Sequence, residues 1–417
     1  HRTHKPGVGG STPPPATILI KIVIKKYLQK IFKKISYGVF FKIYGRIENS
    51  IENNKDNRIK VKLINIDKEQ NYRVYKISNG RLYTDRVHDT AAILDNKIIE
   101  GPSFQFRQVT NPLDNFEMRN DINYGRYPNI PKVIINSNIR DNIVFSKGTP
   151  RKLRNLNGTV LSLLTGGGGN NNYWHWLFDV LPRFSLCSKF VNLNEIDYFL
   201  LPSLLKKFQE ETLDCLNIPE HKRISSEKFR HIKAKELIMT DHPLVTSGNA
   251  TKDNLNIHNW IISWLRANFL NPNTITEQKI KNKIYIDRSN TISNKNPQRL
   301  ISNEDEIKKY LSKNNFIFVR LHETPFREQV NLFNNAECIV GLHGAGFVNV
   351  VFCKPGTKII ELRGLSTGDT INNLSKKNNL NYSSIDVESK DVYKFKYPTQ
   401  HGSIKVPINS LIKAIEK

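Results

Sequence analysis

Cys338-Ile339-Val340-Gly341-Leu342-His343-Gly344-Ala345-Gly346-Phe347-Val348-Asn349 is the stretch on which the fold turns. Its apolar start reads as a short buried strand. The small residues after His343 leave the backbone bare, and a helix is expected beyond them. In a strand, small-residue turn and helix of this kind, backbone N–H groups and the helix dipole can meet a phosphate. The glycines do not follow Gly-x-Gly-x-x-Gly, and no Lys-Ser or Lys-Thr stands as in a P-loop. Dinucleotide and ATP readings therefore weaken, and taken alone the segment reads as readily as a plain tight turn.

The pattern extends both ways from it. Downstream, Lys354-Pro355-Gly356-Thr357 turns into a strand at Lys358 to Glu361. Glu361 at its carboxyl end is placed either to accept from ribose hydroxyls or to cap a neighbouring helix. Upstream come a strand at Lys283 to Asp287, a helix at Asp305 to Lys313, a strand at Phe316 to Arg320 and a helix at Phe326 to Asn335. An earlier run alternates in the same way: strands at Val160 to Leu164, Tyr198 to Leu201 and Glu236 to Met239, and helices at Tyr173 to Phe190, Leu204 to Leu216 and His258 to Phe269. Alternation of this kind predicts parallel sheets covered by helices on both faces. The Asn/Pro/Thr-rich segment Asn271 to Thr276 reads as a linker. Two α/β domains facing a cleft follow, with ligands at the carboxyl ends of the strands. A chain of 417 residues is also longer than one core usually serves.

The amino-terminal part differs. Residues 1 to 16 are rich in Gly, Pro, Ser and Thr and read as an expression remnant. Residues 17–47 read as a basic amphipathic helix, with Ile20, Ile24, Tyr27, Leu28, Ile31, Phe32 and Ile35 at helical spacing and lysines between them. Such a helix either lies on an anionic membrane surface or packs on its own domain with a solvated lysine face. From Lys60 to Ser146 short β-rich runs predict a subdomain with a hairpin at Asn79-Gly80 and further strands at Val133-Ile134-Ile135 and Val144-Phe145. Residues 401–417 read as a closing helix.

A second constellation is Asn172-Tyr173-Trp174-His175-Trp176-Leu177-Phe178-Asp179-Val180-Leu181-Pro182-Arg183, after the glycine run 166–169. His175 and Asp179, four apart, share one face of a helix. A carboxylate beside an imidazole at a cleft suits general-base chemistry on a hydroxyl. The pair could equally hydrogen-bond within a core helix. As metal ligands they lack a third partner at convincing spacing, so no metal site is expected.

The balance of 63 Lys+Arg against 38 Asp+Glu gives a net charge of +25. That field attracts polyanions of any kind: nucleic acid, anionic membrane or phosphate-bearing substrates. No recognisable nucleic-acid-binding motif accompanies it. Cys187, Cys215, Cys338 and Cys353 show no pairing pattern and read as buried free thiols in a reducing cytoplasm.

Taken in order, His175 to Arg183, Ile284-Tyr285-Ile286-Asp287-Arg288, Gln298-Arg299 with the residues to Glu306, Gly341 to Gly346 with Asn349, and Pro355-Gly356 with Ile360-Glu361-Leu362 resemble glycosyltransferase family 61. The resemblance covers roughly Leu163 to Leu362. Two departures stand out: Asp287-Arg288 where the family often has Ser-Arg, which puts a negative charge near the expected diphosphate, and Gln298-Arg299 where it often has two arginines.

The resemblance implies a GT-B fold of two Rossmann-like domains, 48–270 on the acceptor side and 271–400 binding the nucleotide sugar. It implies inversion without an obligatory metal or other cofactor. Asp179 and His175 are then the catalytic pair, with Asp179 as base, oriented by His175, and the roles exchangeable. Arg288, Arg299, His343, Gly344, Ala345, Gly346, Asn349 and Glu361 become donor-binding. Asn172, Trp176 and Arg183 fall on the acceptor side, Arg183 with a structural pairing to a carboxylate. The partners expected are a nucleotide sugar, a UDP-sugar first, and a glycan or lipid-linked glycan acceptor of capsule or lipopolysaccharide synthesis. No specific nucleic acid is expected. With no cleavable signal and no spanning segment in the sequence, the expected place is the cytoplasm, peripheral on the inner membrane. The other readings are a basic nucleic-acid-binding protein and an inactive nucleotide- or sugar-binding module.

Overall fold

The computed structural model describes residues 16–53, 55–67, 70–109, 132–136, 138–164, 171–270, 282–288, 299–365, 367–390 and 402–417. The glycine run 166–169, the linker 271–276, Gln298 and residues 1–15 lie outside them. The chain is α/β, with helices on one mixed and one parallel sheet.

The first part supplies β1 (Asn49–Ile51), β2 (Ile59–Asp67), β3 (Gln70–Ser78), β4 (Arg81–Thr84), β5 (Asp89–Leu94), β6 (Lys97–Ile99), β7 (Phe104–Val109), β8 (Lys132–Ile135), β9 (Arg154–Ser162), β10 (Tyr198–Leu201), β11 (Arg223–Ser225) and β12 (His231–Thr240). They form one twelve-stranded sheet in which two kinds of pairing meet at β12. On one side β11, β10, β9 and β12 lie in that order and run parallel. Their apolar runs are buried (Val160, Leu161, Phe199, Leu200, Leu237), as a strand covered on both faces requires. On the other side β3 and β4 pair antiparallel with β12, and β2, β5 and β7 continue the antiparallel part. The chain leaves β9 towards β10 and β11, then returns to the opposite flank for β12. Whatever follows the carboxyl ends of β9 and β12 therefore shares one crevice.

Two local expectations need correction. Asn79 takes the left-handed conformation, with φ 54°, but no hairpin forms there. β3 and β4 both pair with β12, so Asn79-Gly80 is a kink in one long edge. Asn79 N–H donates to the Lys235 carbonyl, and Gly80 accepts from Ala234 N–H. A Cβ at Gly80 would come within 2.8 Å of the Ile77 side chain, so glycine permits the close approach. The actual hairpin joins β2 and β3. Val144-Phe145 is helical, within Ile143–Lys147, because the Asn142 side chain accepts from Val144 N–H and starts a turn.

The second sheet uses β13 (Asn282–Ile286), β15 (Phe316–Val319), β16 (Ala336–Leu342), β17 (Lys358–Gly364) and β18 (Asn381–Val387). They run parallel in the order β15-β13-β16-β17-β18, with the change of direction between β13 and β16. β14 (Arg299–Ile301) pairs apart from them with β19 (Gly402–Ile404). The closing helix is Ile408–Glu416, and the amino-terminal helix is Ala16–Tyr44.

The two sheets share one apolar cluster, in which Trp176 and Phe178 join Ile284, Phe347 and Phe352. The Phe269 ring meets Phe326 edge-on at 4.9 Å and Phe352 at 6.2 Å. Arg266 crosses the same boundary, donating to the carbonyls of Val351 and Cys353 at 2.6 and 2.9 Å. A common dry core thus lies beneath the crevice. We expect Phe352→Ala to cost about 3–5 kcal/mol in one cooperative urea transition; two separated transitions would show that the sheets unfold independently.

Candidate active site

The helix that bears His175 and Asp179 is not regular. Asn172 caps it, its side chain accepting from Trp174 N–H at 2.9 Å. It runs as α-helix over Tyr173–His175, widens to a π turn over Trp176–Val180, and resumes at Pro182–Ser188. Pro182 has no N–H, and its ring would strike the carbonyl four residues back in an ordinary helix. The wide turn relieves this: Leu181 N–H reaches the carbonyl of Trp176 at 3.0 Å.

His175 Nδ1 lies 2.6 Å from Asp179 Oδ2. The carboxylate is deeply buried, whereas a quarter of the imidazole surface is exposed. Asp179 therefore stands behind His175 as seen from solvent. Its Oδ1 is buried without a hydrogen-bond partner among the described residues. His242, two residues past the end of β12, approaches the same carboxylate, with Nε2 at 3.9 Å from Oδ2. Its Nδ1 accepts from the N–H groups of Leu244 and Val245, so its proton must sit on Nε2. Burial, against the attraction of Asp179, pushes His242 down to about 3, and it stays neutral. Burial also disfavours charge on His175, but the Asp179 charge and hydrogen bond outweigh it and raise its pKa. Burial would raise Asp179; the charge of His175 and the bond to it hold it below its ordinary value.

Trp176 and Arg183 do not face an acceptor. Trp176 is buried, donating through Nε1 to Thr212 Oγ1 at 2.8 Å. Arg183 is buried too and donates to the carbonyls of Asp179 and Thr240 and the Thr240 hydroxyl, not to a carboxylate. It ties the π turn to the end of β12, and burial draws its pKa down to about 10. Among the described residues no group of three or more His, Cys, Asp or Glu side chains is arranged to hold a metal ion.

The His343 turn and the two arginines beside it lie at the carboxyl ends of β13 and β16 and the start of β14. Arg288 Nη1 and Arg299 Nη1 both donate to the His343 carbonyl, at 3.1 and 2.8 Å. A Cβ at Gly344 would lie 3.2 Å from one guanidinium and 3.3 Å from the other, so a side chain there would crowd both. Burial draws Arg288 down, and burial together with the neighbouring Arg288 draws Arg299 down to about 10. Two buried cations side by side are a setting that an anion would relieve. The helix expected after His343 is eight residues of 3-10 helix, Ala345–Phe352, so the arginines, more than an α-helix dipole, supply the positive charge.

Glu361 is not on this surface. It is wholly buried, one oxygen bonded to His343 Nδ1 and the other accepting from the Tyr382 hydroxyl at 2.5 Å. It supports His343 from behind, and the ribose role expected of it has no exposed oxygen to rest on. Asn349 is equally buried. It accepts from the Tyr173 hydroxyl at 2.7 Å and donates to Gln329 Oε1 at 2.9 Å. The charge of Asp287 does not stand unopposed near the arginines, since Lys308 lies 3.0 Å and Arg320 3.5 Å from its two oxygens.

Between the two constellations is a cavity of about 570 Å³, lined by Tyr173, Phe208 and Glu211 on one side and by Arg288, Gly344, Ala345 and Gly346 on the other. The family model described as Glycosyltransferase 61 matches residues 173–360, which begin at the His175 helix and run to the end of β17. This stretch is a glycosyltransferase family 61 domain. No curated protein matches the chain. The family indicates a glycosyltransferase, and the cavity lies within the matched stretch.

Of the residues singled out from sequence, the structure brings together His175 with Asp179, and Arg288 with Arg299, His343 and Gly344. Sequence reasoning missed His242, Tyr173 and Tyr382. Asp241-His242 follows an apolar strand directly, a signal like that of Asp287-Arg288, but it lay in a polar stretch without other signature. We expect NMR titration of His175 to give a pKa above the ordinary imidazole value, and Asp179→Asn to lower it. The stabilisation from protonating His175 is complete below its unfolded pKa and fades as pH rises through the folded value. Loss of that fading in Asp179→Asn checks the sign.

Proposed function

We propose that the chain is an inverting, metal-independent transferase of GT-B type, moving a sugar from a nucleotide-sugar donor to a glycan acceptor. The strand order β11-β10-β9-β12 and the five parallel strands from β13 onward support reading the two sheets as Rossmann-like halves. The observation that carries the mechanism is a buried carboxylate behind a partly exposed imidazole, two residues past Tyr173, where Tyr173 lines one cavity with Arg288, whose guanidinium shares the His343 carbonyl with Arg299.

In this reading His175 is the base. Its Nδ1–H is held by Asp179, which leaves Nε2 to take the acceptor's hydroxyl proton; Asp179 orients the ring and balances the imidazolium. The acceptor oxygen bonds to the anomeric carbon as the bond from that carbon to the diphosphate oxygen breaks. The nucleoside diphosphate leaves with the electron pair, and Arg288 and Arg299 meet its growing charge. His242, itself neutral, stands 3.9 Å from the same carboxylate oxygen that His175 binds. A UDP-sugar as donor and a surface polysaccharide, capsule or lipopolysaccharide, as destination are the specific forms of this proposal, taken from the family.

Thermal shift and calorimetry with UDP-, GDP-, CMP- and dTDP-sugars test it. One donor should raise the melting temperature in EDTA, because it binds only the folded chain, and Arg288→Ala should abolish the shift. A salt-sensitive response to an oligonucleotide, with none to any sugar nucleotide, would sink the reading. His175→Ala should retain the donor shift while turnover falls by on the order of 10²–10⁴. Because the base must be neutral, kcat/KM should rise with pH through the raised pKa of His175. In Asp179→Asn that limb should move to lower pH.

A further inference from the structure

We infer that the helix Ala16–Tyr44 lies along the surface of an anionic phospholipid bilayer. The inference is independent of the sugar-transfer reading. Tyr27, Leu28, Ile31, Phe32 and Ile35 are each between 40% and 70% exposed. A core helix would bury such residues. At the helical repeat they fall in one arc of about 140°, while Lys25, Lys26, Lys30, Lys33 and Lys34 occupy the rest. No Asp or Glu occurs from Ala16 to Tyr44.

The protein itself does not cover this arc. Among the described residues, the contacts that its body makes with the helix lie near the carboxyl end. The Tyr44 ring meets His231 edge-on at 4.8 Å, and its hydroxyl accepts from Leu153 N–H at 2.8 Å. Phe41 packs on Gly148, where a Cβ would come within 2.8 Å of its ring. Further up, Ile24, Leu28 and Phe32 border a cavity of about 880 Å³ towards Tyr83, Arg151 and Arg230. The two arginines extend the basic rim.

An anionic bilayer satisfies both faces at once. Acyl chains bury the apolar arc, and lipid phosphates meet the lysines on its flanks. A nucleic acid would neutralise the lysines and leave the isoleucines wet. A second copy would cover the apolar arc but set two rows of lysines together. Among the described residues no helix is long and apolar enough to cross a membrane, so the geometry is that of a helix lying flat.

The test is co-sedimentation of the full chain with vesicles of phosphatidylglycerol and phosphatidylcholine, against phosphatidylcholine alone. Binding is expected only to the anionic vesicles, and 1 M salt should weaken it. Phe32→Glu with Ile35→Glu should abolish it, and Lys25→Gln, Lys26→Gln and Lys30→Gln together should weaken it by on the order of tenfold or more. Every exchanged side chain is exposed, so melting temperatures should not change. The inference is overturned by failure to bind anionic vesicles, or by binding that both variants retain. It is likewise overturned if light scattering shows a dimer that Phe32→Glu dissociates while vesicles go unbound, or if an oligonucleotide alone is captured.

Discussion

The hydrogen bond from Tyr173 to Asn349 is the contact on which the geometry of the site rests. Tyr173 stands two residues before His175, and Asn349 three after Gly346. One buried bond therefore sets the separation between the imidazole and the arginine pair. The Asn349 amide is fully committed: its nitrogen goes to Gln329, whose own amide donates to the carbonyls of Leu321 and Thr324 on the cavity wall. A buried polar group left without its partner costs about 1–3 kcal/mol, so the network has one satisfied arrangement. The aromatic cluster of Phe269, Phe326 and Phe352 keeps the same boundary dry and closed beneath it.

Charge is distributed with equal economy. The chain is strongly basic as a whole, and at the carboxyl ends of β13 and β16 two half-buried arginines share the His343 carbonyl. The acids nearby are compensated: Asp287 by Lys308 and Arg320, and Glu361 by His343 with Tyr382. Asp179 is the exception, with one oxygen unsatisfied among the described residues. That carboxylate is where a positive charge on His175 is best stabilised.

Much of this could be read from the chain. Alternating apolar runs and helical patterns located the buried parts of most parallel strands, since a strand buried on both faces has to be continuously apolar, but β9 and β12 begin five or six residues earlier than their apolar runs, and β11 and β18 gave no such signal. His175 with Asp179 was legible because helical spacing alone brings them together. The antiparallel extension was not, because the same Asn-Gly conformation serves a hairpin or a kink, and which one forms depends on β12, some 150 residues away. The burial of Trp176 and Glu361 was equally hidden. Their chemistry is that of binding residues, and only the packing around them says otherwise. His242 escaped for the opposite reason, its partner lying on another element.

The widened turn at Trp176–Val180 carries a consequence for how this protein can change. Deleting its extra residue, with Pro182 replaced, would let the segment close as an ordinary helix from Tyr173 to Ser188, and the backbone would gain by it. It would also swing everything before the turn by roughly 100° about the helix axis, against a core anchored after it by Arg183 and Phe184. The imidazole would then point away from the crevice. A regular helix and an imidazole at the crevice are therefore alternatives at this position, and a lineage that idealised the helix would keep the fold while losing that placement.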